Sequence, residues 1–446
     1  MSKGRSGITG ALLVASLAAC AAAPVERAAP MAEATIDVAP NGSTWEVDYT
    51  LPRPVAALRF ARVDHHGTRA RDWTPLEPGF ELVATDDGEV VRRRDGATIS
   101  RVGFAMQPQY VLFEKDYAPF SPFGDGGLLI HSGRLHACAE RCEDDVEYRW
   151  RVRITPPAGA HAIVAGQVVA GGDFLDTQPG TNVYVGQARP LDTPDVVAVV
   201  DAAMPGGIRD RLAMLLPRLM DLYGDELGRL PSRPMLYASR DERYPGGGYG
   251  YQGGTLPGQV FMHVYGRNDA FATEAFAVRM DSFFAHEAAH LYQRFPSLAE
   301  QGDSWIHEGG ADAMSLLALA RLGEIDAETA RTRVDEAVAV CAKGIGQAPL
   351  LPLPASGRFE LTYACGLVVQ MAVDAAARRS TIGPACDLFC VWREYQRRVD
   401  AGAPWTTATF VQVVADRVDS DTAHFVREAV TTSPADPGAF LRAGLE

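Results

Sequence analysis

The segment Phe283 to Gln293 reads Phe-Phe-Ala-His-Glu-Ala-Ala-His-Leu-Tyr-Gln, and a second segment, Trp305 to Asp312, reads Trp-Ile-His-Glu-Gly-Gly-Ala-Asp. In the first, His286 and His290 stand four positions apart with Glu287 between them. Residues i and i+4 share one face of an α-helix, so both imidazoles can address one metal ion, with Glu287 beside them. The first segment is therefore expected to be helical. It also needs a neighbouring element that brings a third ligand to the same point. Glu308, eighteen positions after His290, suits that place. Whatever else the chain does, it has to hold these two segments against each other.

A catalytic zinc ion takes three protein ligands and leaves one position for water. His286, His290 and Glu308 are the candidate ligands, for one zinc per chain. Glu287 is the candidate general base toward a metal-activated water. Trp305 and Ile306 precede Glu308 and can pack its helix on the first. Gly309 and Gly310 fall inside that second helix, where each costs about 1 kcal/mol relative to Ala. Such a pair points to close packing or to close approach of a substrate. Asp312, four residues after Glu308, can accept a hydrogen bond from a ligating imidazole and fix its tautomer. Attack on a carbonyl needs a donor for the developing oxyanion besides the metal; Tyr363, in Leu-Thr-Tyr-Ala-Cys-Gly, is the candidate. His307 reads as a buried polar neighbour of Glu308 rather than a ligand, and His263 is a candidate for the cleft wall.

These residues carry a resemblance. His-Glu-Ala-Ala-His followed by Trp-Ile-His-Glu-Gly-Gly-Ala resembles the gluzincin metallopeptidases, in particular the aminopeptidase N family, whose third ligand lies in a Trp-x-x-Glu-Gly-x-Ala segment at almost this spacing. Tyr363-Ala-Cys-Gly366 is similar to that family's Tyr-x-x-Gly segment, which carries an oxyanion-binding Tyr. Asp312 is similar to the Asp that supports a zinc ligand in thermolysin-type enzymes. The resemblance spans motifs from Gly253 to Gly366 and implies a β domain followed by a thermolysin-like catalytic lobe, with peptides or proteins as substrates. One motif departs. The family carries Gly-x-Met-Glu-Asn ahead of the helix, and its Glu binds the substrate's free amine. Here the stretch is Gly253-Gly254-Thr255-Leu256-Pro257-Gly258-Gln259-Val260, with no Glu. The Gly-Gly-x-Glu-His version of the glycyl aminopeptidases is missing too. The resemblance thus implies proteolysis but not recognition of a free amine, and it leaves action on chain ends or interiors open. A binding or scaffolding lipoprotein without turnover is an alternative, which the intact Glu287 argues against. A zinc hydrolase of non-peptide amides or esters is another.

Composition sets outer limits. The 446 residues, 47% of them apolar, suffice for two or three domains. A formal net charge of −14 with dispersed arginines argues against a nucleic-acid partner, since phosphate backbones need clustered cations. Lys3 and Arg5 precede an apolar or small-residue stretch, Ile8 to Ala19, that ends in Leu17-Ala18-Ala19-Cys20. The stretch is too short for a stable membrane span. It resembles a bacterial lipoprotein signal, which implies a lipid on Cys20 and, with Ala21 rather than Asp next, an outer-membrane address facing the periplasm. Ordinary cleavage near Ala23 is the alternative. Six further cysteines fit disulfides in an exported protein. The simplest pairing is local: Cys138 with Cys142, Cys341 with Cys365 and Cys386 with Cys390. The rival reading of the first pair is a second metal site with His136.

In chain order, residues 1–19 read as the signal peptide and 20–34 as a tether. Residues 35–188 read as an antiparallel β-sandwich domain. Trp45, Val47, Tyr49 and Leu51 alternate with polar residues, as do Tyr148, Trp150, Val152 and Ile154. Residues 189–204 read as a linker, with Pro190 and Pro194 as breaks. Residues 205–446 read as the catalytic domain: a helix to Leu227, a strand from about Pro234, a glycine-rich stretch from Tyr244 to Gly266 that forms a flexible loop or a hairpin, and then helices. The fold class expected is α+β. The oligomeric state is not encoded in any of these patterns.

Overall fold

Alternation of apolar and polar residues builds the first part of the chain. The structure is a computed structural model that describes residues 32–446, apart from 65–66, 87, 114–117, 140–141, 143–147, 177–179, 294–302, 353–357 and 382–384. Cys20, the leader and His65-His66 lie outside the described residues. Val47, Tyr49 and Leu51 on one strand, and Trp150, Val152 and Ile154 on another, turn into a common core. These two strands, Thr44–Val55 and Tyr148–Ile154, flank Ala32–Asn41 in a six-stranded sheet. The Tyr49 ring packs edge-on against Phe60, Phe104 and Trp150, and its hydroxyl donates to the Leu135 carbonyl over 2.9 Å. Gly42, at φ 61, turns the chain between the first two strands. Two smaller sheets, of four and five strands, complete this sheet-rich part.

Two details differ from the sequence reading. Ala32 to Ala34 belong to the first strand rather than to a tether. That strand pairs in parallel with Tyr148–Ile154, so the sheet is not wholly antiparallel. Period-two alternation reports which face is buried and carries no information on strand direction.

The second part opens on a five-stranded sheet. Its strands are β1 (Leu191–Asp192), β2 (Val197–Val200), β3 (Met235–Asp241), β4 (Gly250–Leu256) and β5 (Gln259–Tyr265), in the order β1-β2-β3-β5-β4. Residues 189–204 thus supply two strands and are not a bare linker. Helix α1 (Gly206–Leu227) crosses from β2 to its parallel neighbour β3. Within the glycine-rich stretch, β4 and β5 form an antiparallel hairpin, turned at Gly258 with φ 70. Phe123, Leu129, Ile163 and Tyr184 from the first part pack with Val197, Val199, Met235, Tyr237 and Phe261, joining the two parts by a shared apolar layer.

Among the described residues eight further helices follow: α2 (Glu274–Tyr292), α3 (Ser304–Leu322), α4 (Ala327–Ile345), α5 (Glu360–Arg379), α6 (Leu388–Asp400), α7 (Thr407–Arg417), α8 (Ser420–Thr431) and α9 (Pro437–Leu445). Side-chain caps set several of their starts: Thr273 accepts from Phe276 N, Asp326 from Thr329 N and Asp387 from Cys390 N. Disulfides join Cys138 to Cys142, Cys341 to Cys365 and Cys386 to Cys390, the local pairing expected. The first bond takes both thiols from the rival metal site, and His136 Nε2 lies instead 2.9 Å from Asp176 Oδ2. Among the described residues no helix is long and apolar enough to cross a membrane.

Candidate metal centre

Helix α2 is anchored by its apolar face. Phe276, Ala277, Met280, Phe284, Ala285, Ala288 and Ala289 are buried in the large core. Two tyrosine hydroxyls fix α2 on α1: Tyr223 donates to Ala285 O at 2.9 Å, and Tyr292 donates to Met220 O at 3.0 Å. On α3, Trp305 and Ile306 are wholly buried, and the Trp305 indole donates to Thr407 Oγ1 at 2.9 Å. The glycines of this helix serve packing. A Cβ on Gly309 would stand 2.2 Å from Gly366 Cα, and one on Gly366 would stand 2.4 Å from Trp305 O. The backbones of α3 and α5 therefore touch one turn from Tyr363.

These supports bring three donors together. His286 Nε2 and His290 Nε2 are 3.0 Å apart, and each lies 3.4 Å from Glu308 Oε2. Donors bound about 2.0 Å from a tetrahedral ion stand about 3.3 Å from each other, so two imidazoles and one carboxylate are spaced as ligands of a single small cation. Asp312 Oδ1 sits 2.7 Å from His286 Nδ1, on the far side of the ring from the donor cluster. Gln293 Oε1 takes the same position toward His290 Nδ1, at 2.6 Å.

Glu287 and Tyr363 border the cluster. The Thr255 hydroxyl, on β4, lies 2.8 Å from Glu287 Oε2 and 3.0 Å from Glu287 O, and so pins the carboxylate. The Tyr363 ring lies 5.9 Å from His286, with Phe359 packed edge-on against it at 5.8 Å. Burial first, then the charges of Glu308 and Glu287 and a hydrogen bond with Glu308, push the Tyr363 hydroxyl up, so it keeps its proton. His307 stacks on the His290 ring at 4.0 Å and contributes no donor to the trio. Burial holds it uncharged. His263 is not at the cleft wall: it is buried, hydrogen-bonded to Ser239 Oγ at 2.6 Å and stacked on Tyr110 at 3.8 Å. Thr255 and Gln293 had no signature in the sequence. Their roles depend on a strand and a helix end meeting the metal helix in space.

The order of layers, a sheet-rich N-terminal part before a helical lobe, is a fold similar to that of an aminopeptidase N family protein of known structure. An aminopeptidase N family protein from Idiomarina loihiensis superposes over 90% of this chain and 76% of its own with a TM-score of 0.59, at 11% identity, so the likeness is one of fold. An M1 zinc metallopeptidase from Deinococcus radiodurans aligns over 91% of this chain and 95% of its own, at 17% identity and a TM-score of 0.48. A mutant of that type, bound to a Tyr-Ser-Ala substrate, aligns over the same shares at 16% identity and a TM-score of 0.49. No protein-family model matches the chain, and no curated protein matches it.

Proposed function

We propose that this protein is a zinc-dependent peptidase, held outside the cytoplasm by a lipid on Cys20, at the outer membrane facing the periplasm. The observation that carries the catalytic reading is the convergence of His286, His290 and Glu308 beside Glu287 and Tyr363. Two neutral imidazoles and one carboxylate are the donor set of a catalytic zinc. Zinc held there supplies a Lewis acid and lowers the pKa of water. Glu287, with one oxygen engaged by Thr255, offers the other to accept a proton from water and return it to the leaving amine. Tyr363, protonated, donates to the carbonyl oxygen as it gains charge. Asp312 orients His286 from behind.

The β4–β5 hairpin holds the stretch Gly253 to Val260, which has no acid, and Leu256 is buried there. The reading is therefore of a peptidase that does not depend on a free amine. Matched peptides, N-acetylated and free, digested by the zinc-loaded protein should be cut at similar rates. Cleavage confined to free-amine peptides would mean that another acid binds the amine. No cleavage of either series would sink the peptidase reading itself.

The anchor has independent support. Of seven cysteines, six lie in the three disulfides, as suits an oxidising compartment, and the seventh is Cys20. The full chain expressed in a Gram-negative host should take up labelled palmitate and fractionate with membranes. Cys20→Ser should abolish both; unchanged membrane association of that variant would contradict the anchor.

A further inference from the structure

Gln293 follows the last residue of α2 and is fully buried. Its side-chain amide bridges the two ligand segments. Nε2 donates to the backbone carbonyl of His307 over 2.9 Å, while Oε1 lies 2.6 Å from His290 Nδ1. A carbonyl oxygen only accepts, so the nitrogen end of the amide has to face His307 and the oxygen end has to face His290. An amide oxygen also only accepts. His290 must then carry its proton on Nδ1 and turn the lone pair of Nε2 toward His286 Nε2 and Glu308 Oε2. One neutral side chain fixes the tautomer of one ligand and ties it to the residue before another. Asp312 performs the first task for His286 with a full charge. A neutral acceptor at His290 adds no fourth carboxylate to a site already lined by Glu287, Glu308 and Asp312.

Helix α3 is shaped to admit this amide. A Cβ on Gly310 would stand 3.0 Å from Gln293 Nε2 and 2.3 Å from Trp392 Cζ2. The second glycine of the Gly309-Gly310 pair thus has its own purpose: it lets Trp392 and Gln293 both pack against α3, as Gly309 lets α5 close on α3.

We propose that Gln293 is a positioning residue for metal binding, acting through His290 and seated by Gly310; the proposal rests on the zinc reading above. It is tested by zinc affinity, measured by competition with a chromophoric chelator, for the wild type, Gln293→Met and Gln293→Glu, with circular dichroism as the check of folding. Met removes the acceptor and should weaken zinc binding about 10- to 100-fold. Glu keeps the acceptor toward His290 but loses the donor to the His307 carbonyl, so it should bind zinc more tightly than the Met variant and no more tightly than wild type. Equal affinity of wild type and Gln293→Met would overturn the proposal, as would a Glu variant as weak as the Met variant; both results leave the zinc site standing. A wild type that binds no zinc would overturn the zinc reading and this proposal with it. Should Gln293→Met not fold, long-range proton–nitrogen correlation on the zinc-loaded wild type decides. His290 should be protonated at Nδ1, and a bare Nδ1 would contradict the role assigned to Gln293.

Discussion

His263 shows how burial alone sets the charge of a residue. It lies on β5, closed off by Tyr110 and bonded to Ser239, and desolvation lowers its pKa to about 3. An unfolded imidazole titrates near about 6.5. Between those values the unfolded chain binds a proton that the folded chain refuses, so stability falls as pH drops from about 6.5 toward 3. His263→Phe keeps a ring against Tyr110 and removes the proton site. Its unfolding temperature should fall less steeply than that of wild type between pH 7 and pH 5, as read by thermal melts; parallel slopes would show that His263 does not govern this range. The pairs His286 and His290, and Glu308 and Asp312, were legible as i, i+4 neighbours on one helix face, and Glu308 itself through the Trp-x-x-Glu-Gly segment that carries the resemblance. Thr255 and Gln293 were not legible. Their partners lie on other elements, and Thr or Gln in a strand or at a helix end is unremarkable by itself.

At the scale of elements, the contact between α3 and α5 sets the distance from Glu308 to Tyr363. Gly309 and Gly366 meet backbone to backbone, and the Cys341–Cys365 disulfide ties α4 to α5 beside them. Gly366→Ala places a methyl against the Trp305 carbonyl, so the helices must part. Overpacking of this kind costs about 1–3 kcal/mol, and the displaced α5 carries Tyr363 with it. The variant should lose kcat through misplaced oxyanion donation while retaining zinc, measured by turnover and metal content side by side. Unchanged kcat would mean that α5 absorbs the methyl without moving Tyr363. The run of helices after the glycine-rich stretch was readable from their apolar faces. The strands β1 and β2 were not: short apolar runs between Pro190, Pro194 and Pro205 are too brief to show a period, and only the pairing of β1 with β2 and of β2 with β3 makes them strands. The glycine-rich hairpin was ambiguous for the opposite reason, since few side chains remain in β4 to alternate.

At the scale of the molecule, a sheet-rich part and a helical lobe share one apolar layer, and the cluster of His286, His290 and Glu308 sits where β4 passes α2. The α+β class and the order of the two parts followed from the change of period along the chain. Parallel pairing of the first strand with Tyr148–Ile154 joins residues more than a hundred positions apart, which no local pattern encodes. In the proposed peptidase, Glu287 is the residue that turns a metal site into a hydrolase. The direct measurement is a peptide-library digest, read by mass spectrometry, of wild type and Glu287→Gln with zinc content assayed on the same samples. The prediction is about one zinc per chain in both proteins, and cleavage reduced by about 10²–10⁴ in the variant. Equal cleavage by two zinc-loaded proteins would contradict it.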